Sequence, residues 1–232
     1  KSLHKKLGPK QQMLVEYKPF EPAFYQTDVA DWGMAYVYSK KAGPRSKVLV
    51  DIGHHYNATN IEQIVAWLLD EDMFGGLHLN DRRYADDDLT LGSIDPYQIF
   101  RVFHEIHFFA SDRGKMPKIP YMVDQCHNEK PKVEAMLQTV AIAQELFAKA
   151  SIVDHDALRK AQAKNNAIDA ELVLKKAFFT DVTPAIAAYR KRNKLPVDPM
   201  AEHRRQGYEK KAAADRNRRR KEMGITRGGS FA

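Results

Sequence analysis

A single cysteine, Cys126, stands among 232 residues. No disulfide can close within the chain, and the usage fits a reducing compartment, so a cytoplasmic location is expected. No apolar run approaches the roughly 20 residues that span a bilayer, which leaves no membrane partner in the reading. The opening residues, KSLHKKLGPK, lack an apolar core, so no secretory signal is expected there. The first residue is Lys1 rather than Met, which reads as a portion of a longer protein. Acidic surplus is absent too: 37 Lys and Arg face 30 Asp and Glu. That imbalance is local, since residues 203–221 hold nine Lys and Arg against Glu209 and Asp215 and so carry the whole net charge of +7. A basic tail can attract nucleic acid or anionic lipid. This one has Tyr208 as its lone aromatic for stacking bases, so a solvated, partly helical tail is the stronger reading. With 44% hydrophobic and 29% charged residues, the chain has the balance of an ordinary globular protein.

Apolar patterning divides the chain into alternating short and long elements. Residues 13–17 read as a strand. A helix is predicted over 28–41, capped by Thr27 or Asp28, with Val29, Trp32, Ala35, Tyr36 and Tyr38 on its apolar face. Gly43 and Pro44 break it. Residues 48–52 read as a strand, apolar apart from Asp51, as suits a parallel strand covered on both faces. Asn60 precedes a helix with Ile61, Ile64, Val65, Leu68 and Leu69 at helical spacing, and Gly75-Gly76 ends that unit. A third strand is predicted over 77–80, followed by an acidic loop over 81–93. Asp95-Pro96 opens the next helix, which carries Ile99, Val102, Phe103 and Ile106. The fourth strand is 121–124, and a helix follows over 130–149 with Val133, Met136, Leu137, Val140, Ala141 and Leu146. Strand and helix thus alternate four times, which implies an α/β fold with a parallel sheet and right-handed crossovers. Helices over 154–165, 167–193 and 199–219 follow, and the last residues, GITRGGSFA, look disordered.

In such a sheet, function gathers where the strands end. The residues placed there are Glu16 and Lys18, Asp51 and His54, His78, then Asp86 and Asp88, and finally Asp124. Taken singly, each has a plain structural explanation: an ion pair, a satisfied loop histidine, a solvated acidic turn. Taken together they do not, because packing alone does not place Asp or His at every strand end. So many carboxylates would repel one another unless a cation neutralised them. Imidazole and carboxylate without thiolate suit Mn²⁺, Co²⁺, Mg²⁺ or Zn²⁺, and seven ligands exceed what one ion usually takes.

The ordered motifs EYKP, VDIGHH followed by TNIE, GGLHLND, YADDDL, SIDPYQIF and VDQCHN resemble those of the L-rhamnose isomerases, within the xylose-isomerase-like sugar isomerases. The resemblance runs from about residue 13 to 150. It implies a (β/α)8 TIM barrel in a homotetramer that interconverts an aldose and a ketose, of the L-rhamnose to L-rhamnulose type, with two divalent ions such as Mn²⁺. It further implies Glu16, Asp51, His78 and Asp124 as ligands of a structural ion, and His54, Asp86 and Asp88 as ligands of a catalytic one. Lys18 would contact substrate oxygen. On this reading Lys18, His54 and Asp124 are the catalytic candidates, and Lys18, His54 and Asp88 those that bind substrate. Two departures stand out. The family often has serine where Cys126 stands. Only four of the barrel's eight βα units are here, and they resemble the last four. Residues 1–150 are therefore expected to form the C-terminal half of a barrel, with 151–232 a helical extension ending in the basic tail. Such a half alone is expected to be unstable or inactive. Another divalent-metal barrel enzyme, a sugar epimerase or an endonuclease-like phosphodiesterase, remains the alternative. A non-catalytic, basic-tailed interaction protein is a third reading, against which the full set of seven ligands argues.

Overall fold

The computed structural model describes residues 1–19, 29–84, 86–125 and 129–225. Four parallel strands, β1 (Met13–Glu16), β2 (Ser46–Asp51), β3 (Phe74–Leu79) and β4 (Tyr121–Val123), pair in the order β1-β2-β3-β4. A four-residue helix, α1 (Ser2–Lys5), precedes them. Each strand is followed by a helix: α2 (Trp32–Ala42), α3 (Ile61–Asp70), α4 (Pro96–Arg113) and α5 (Lys132–Ser151). The alternation read from the sequence is therefore the architecture observed.

Capping explains where three of these helices start. Asp31, Asn60 and Asp95 each accept a hydrogen bond from the backbone N–H three residues on, and Pro96 occupies the first turn of α4, where a missing N–H costs nothing. On one face of the sheet Val48, Val50, Leu77 and Leu79 are buried together with Ile61, Val65 and Leu68 of α3 and Ile99, Val102, Phe103 and Ile106 of α4. Each such side chain contributes about 1.5–3 kcal/mol when fully buried, so this layer dominates the stability of the sheet. Helices α6 (His155–Ala163) and α7 (Ala167–Phe178) join the same core through Val153, Leu158 and Ala177, and Phe178 packs edge-on against Tyr97 and Phe100. Helices α8 (Thr183–Arg192), α9 (Pro199–Gln206) and α10 (Tyr208–Glu222) complete the described chain. Among the described residues no helix is long and apolar enough to cross a membrane.

Several boundaries differ from the sequence reading, each for a local reason. Helix α2 begins at Trp32 under Asp31, and Thr27 and Asp28 lie outside the described residues. Its Tyr38 is exposed while Ser39 is buried, because the inward stripe runs through Trp32, Ala35, Tyr36 and Ser39 at helical spacing and Tyr38 falls off it. On α5 the buried stripe is Ala135, Thr139, Leu146 and Ala150, whereas Val133, Met136 and Val140 are exposed. The long helix predicted over 167–193 is two helices, since Pro184 cannot continue an α-helix and instead sits in the first turn of α8. The next is likewise split at Gly207, whose φ of 64° is left-handed. Cys126 and residues 226–232 are outside the described residues.

The most consequential difference is in β3. The strand starts at Phe74 and includes Gly75-Gly76, which were expected to end the previous unit. Val48 pairs with Phe74, but Leu49 pairs with Gly76, so Gly75 is an extra residue in a bulge. A strand alternates faces, and one inserted residue reverses the alternation beyond it. Phe74 faces the helices; the bulge then puts His78, rather than Leu77, on the opposite face beside Asp51. That opposite face carries an apolar layer of Leu14, Leu49 and Met122 around Gly76, where an added Cβ would lie 3.1–3.3 Å from all three side chains. At Gly75 a Cβ would approach Lys47 Cβ and Leu14 Cδ2 to 2.6 Å and the Val48 carbonyl to 3.1 Å. Overpacking of this kind costs about 1–3 kcal/mol. Gly75→Ala is expected to lose that much in urea denaturation of the full chain; a loss below about 0.5 kcal/mol would show that the bulge tolerates a side chain.

Candidate functional site

One pleat above the apolar layer of Leu14, Leu49, Gly76 and Met122 stand Glu16, Asp51, His78 and Asp124, two residues further along each chain. Period-two alternation puts them on one face, and the register staggers them: Asp51 pairs with His78, while Glu16 pairs with Leu49, and Met122, two residues before Asp124, pairs with His78. Their ligand-type atoms lie within 4.8 Å of one another. At the centre is His78 Nδ1, which is 3.1 Å from Glu16 Oε1, 3.1 Å from Asp51 Oδ2 and 3.2 Å from Asp124 Oδ2. One ring nitrogen carries at most one proton, so it cannot satisfy three carboxylate oxygens. Asp51 is fully buried and anchored by its other oxygen, which accepts from Gly53 N–H at 2.7 Å and Asn80 Nδ2 at 2.9 Å.

The protonation states follow from this crowding. Hydrogen bonds that His78 donates to Asp51 and then Glu16 push it up to about 10, against the cost of burial. Burial raises Asp51, but the His78 hydrogen bond, the His54 charge, Asn80 and the Gly53 N–H outweigh it and leave the carboxyl below its ordinary value. A proton on His78 thus stands where three carboxylates call for positive charge. One imidazole and three carboxylates, at or just past the ends of four strands, could hold a divalent cation.

The second group sits on two loops. His54 Nδ1 donates to the Tyr17 carbonyl at 2.8 Å, which leaves Nε2 to face Asp86 Oδ1 at 3.1 Å. Asp86 Oδ1 is buried and accepts no hydrogen bond. A ring nitrogen and a carboxylate oxygen in this relation suit a shared cation. Asp88 adjoins them. Burial, then the charges of Asp86, Asp124 and Asp51, raise it to about 6, and its φ of 47° is the left-handed conformation that Asp tolerates better than most residues. Lys18, past the end of β1, reaches Asp86 Oδ2 at 2.5 Å. Its Nζ therefore pairs across to the acidic loop, whereas the pleat alone suggested a neighbour in Glu16. Glu16, Lys18, His54, Asp86, Asp88 and Asp124, with Tyr17, line one cleft of about 350 Å³. All eight site residues predicted from the sequence thus stand at one end of the sheet. A larger groove of about 710 Å³ beside β4 and α5 is lined mainly by apolar side chains, with Gln144, Ser151, Tyr121 and Tyr189 and no carboxylate, imidazole or amine.

Four contributors were not foreseen. His55, adjacent to His54, is a structural residue: Tyr17 Oη lies 2.9 Å from its Nε2. Burial and then the Arg82 charge lower it to about 3, so it stays neutral. Tyr17 is held well above its ordinary value, chiefly by burial, and donates its hydroxyl proton. Asn80 holds the Asp51 carboxylate, and Arg82 holds the backbone carbonyls of Ile52 and His55. The motif GGLHLND contains Asn80 without revealing its role, and nothing in the sequence marks Arg82.

No family model matches the chain. It is 40% identical over 216 residues, 93% of its length, to a Rhizobium meliloti (strain 1021) protein named a probable sugar isomerase. It is 41% identical over 205 residues, 88% of its length, to a protein of the same name from Mesorhizobium japonicum. The chain spans about half the length of these curated relatives, 50% and 48% respectively.

A cation that displaces the proton from His78 has a measurable consequence. At about pH 7.5 the ring is protonated, so Mn²⁺ binding should release close to one proton, read from calorimetric enthalpies in buffers of different ionisation enthalpy. Absence of release would place the ion elsewhere. After chelation, the raised ring contributes stability fully below its ordinary value of about 6.5 and loses it as pH rises through about 10. His78→Asn should flatten that alkaline decline in melting temperature.

Proposed function

We propose that this chain is the metal-binding half of a (β/α)8 sugar isomerase, in which residues 1–150 supply four βα units and residues 151–232 a helical extension. The observation that carries the reading is the convergence of three carboxylate oxygens from three strands on His78 Nδ1 of a fourth, at 3.1–3.2 Å. The similarity over some 90% of the chain to two proteins named probable sugar isomerases supports it. The finer proposal is an aldose–ketose isomerase of the L-rhamnose type, assembled as a homotetramer.

Glu16, Asp51, His78 and Asp124 would hold one divalent cation, Mn²⁺ or a related ion, and His54, Asp86 and Asp88 a second. Such cations would polarise the sugar oxygens beside the carbonyl. The remaining work falls to side chains. Strand-borne Asp51, locked by Gly53 and Asn80, keeps the first ligand set rigid. His54, oriented by the Tyr17 carbonyl, presents Nε2 to the cleft. Lys18 is the group that can stabilise charge on the terminal sugar oxygen. Its Nζ already lies in the cleft on Asp86, and its ammonium would shift to an oxygen that gains charge. Asp124, half-exposed at the cleft wall, is the carboxylate with room to meet a hydroxyl proton.

The test is Mn²⁺-dependent ketose formation from a panel of aldoses, L-rhamnose included, by the full-length protein. No conversion of any aldose would overturn the reading. Lys18→Met should lower kcat about 100-fold or more at saturating Mn²⁺, the scale of losing one oxyanion donor. Turnover near that of the parent would reduce Lys18 to a partner of Asp86. His54→Gln or Asp88→Asn should abolish turnover while sparing the melting temperature. Asp51→Asn should lower both, because the strand cluster ties the sheet together. Equal stability losses in the two sets would contradict the division between strand and loop ligands.

A further inference from the structure

Arg82 is buried, at 6% exposure, yet its acceptors are uncharged. Nε donates to the His55 carbonyl at 2.7 Å, Nη2 to the Tyr56 carbonyl at 3.2 Å, and Nη1 to the Ile52 carbonyl at 3.1 Å and to Gln98 Oε1 at 3.0 Å. Three of these four acceptors are backbone groups on either side of His54. Burial of a guanidinium is costly, and here it lowers the group's pKa despite several nearby carboxylates. Satisfying three carbonyls does not need a charge. What a guanidinium adds is a planar fork of N–H donors in fixed relation, which holds the three carbonyls relative to one another.

The adjacent residue does the same for the other loop. Asp81 is buried, and its Oδ1 accepts from Arg82 N–H at 2.8 Å. Its Oδ2 accepts from the N–H groups of Ile94 and Asp95 at 2.8 and 3.1 Å. Its backbone pairs in both directions with Leu89, at 2.9 and 2.8 Å, which closes the loop bearing Asp86 and Asp88. Residues 81 and 82 are thus the point at which the loop of His54 and the acidic loop are fastened to one another and, through Gln98, to the start of α4.

We propose that Arg82 is a positioning residue for the second cation site: its fork on the carbonyls of residues 52, 55 and 56 fixes His54 Nε2 opposite Asp86 Oδ1, while Asp81 fixes the acidic loop. The proposal rests on the two-cation reading above. Arg82 does not touch the cleft, and it is remote in role from the strand cluster of Glu16, Asp51, His78 and Asp124.

The experiment is Mn²⁺ binding to the full chain, followed by electron paramagnetic resonance of the free ion, with hydrogen exchange of the amides of residues 53–56 after chelation. Arg82→Met should weaken one of two Mn²⁺ equivalents about 10–100-fold, as loss of an outer partner typically does, and leave the other within about threefold. Amides 53–56 should exchange at least about tenfold faster. Arg82→Lys should not rescue the weakened equivalent, because an ammonium cannot span three carbonyls. If Arg82→Met does not fold, Gln98→Met removes one acceptor of the fork and should give the same selective pattern at smaller amplitude. Two equivalents retained with unchanged affinity would overturn the proposal. So would parallel weakening of both equivalents in step with melting temperature, which marks a merely structural role. A parent chain that binds one equivalent would instead refute the two-cation reading, and the positioning role with it.

Discussion

Three carboxylate oxygens crowd one imidazole nitrogen at the end of a parallel sheet, and most of the structure can be understood as what is required to hold them there. Like charges at this spacing repel, by several kcal/mol in a protein interior even at a generous effective dielectric of about 20. A fold survives that repulsion only if rigid elements carry the groups and a positive charge sits among them. The protonated His78 supplies such a charge, and a divalent cation supplies it more strongly. Asp51 shows how rigidity is obtained: it is fully buried, with one oxygen committed to Gly53 and Asn80 and the other to the cluster. Replacing that network with apolar residues would suit stability as well, so stability alone does not account for it.

The two ligand groups differ in the kind of element that bears them. The strand group inherits its geometry from the register of β1 to β4 and from the apolar layer one pleat below. The loop group has no such lattice. His54 and Asp86 come from separate loops, and their meeting depends on hydrogen bonds to Tyr17, Asp81 and Arg82 rather than on sheet pairing. Sites on loops move more easily than sites on strands. The strand group is thus held by the sheet and the loop group by side-chain hydrogen bonds, with Lys18 reaching across to Asp86.

The helices serve the site indirectly. By covering the opposite face of the sheet, α3 and α4 force Val48, Val50, Phe74 and Leu77 outward and so commit the alternate residues to the cluster. Helices α6 and α7 extend that core rather than forming another.

Much of this was legible in the residues themselves. The largely apolar run at 48–52, helical periodicity from Ile61, and the Asp95-Pro96 start of α4 each encode a local preference that the fold obeys. That ligand-type residues stand at four successive strand ends was readable before any distance was known, because strand ends follow from local patterning. Other facts depended on contacts distant in the chain. The Gly75 bulge decides which face His78 occupies, and it is visible only when β3 is laid against β2, since a glycine pair reads equally as a turn. The pairing of Lys18 with Asp86 rather than Glu16 depends on where the acidic loop folds back. His54 and His55 are adjacent and chemically identical in sequence, yet one turns Nε2 toward Asp86 and the other is sealed against Tyr17. Arg82 is an unremarked basic residue until its guanidinium is seen on three carbonyls some 26–30 residues away. The sequence by itself determined the elements and the ligands at their ends, because strand and helix periodicity are local. Tertiary structure alone decided register, partner choice and protonation, because these depend on which groups meet across space and on how much water is excluded when they do.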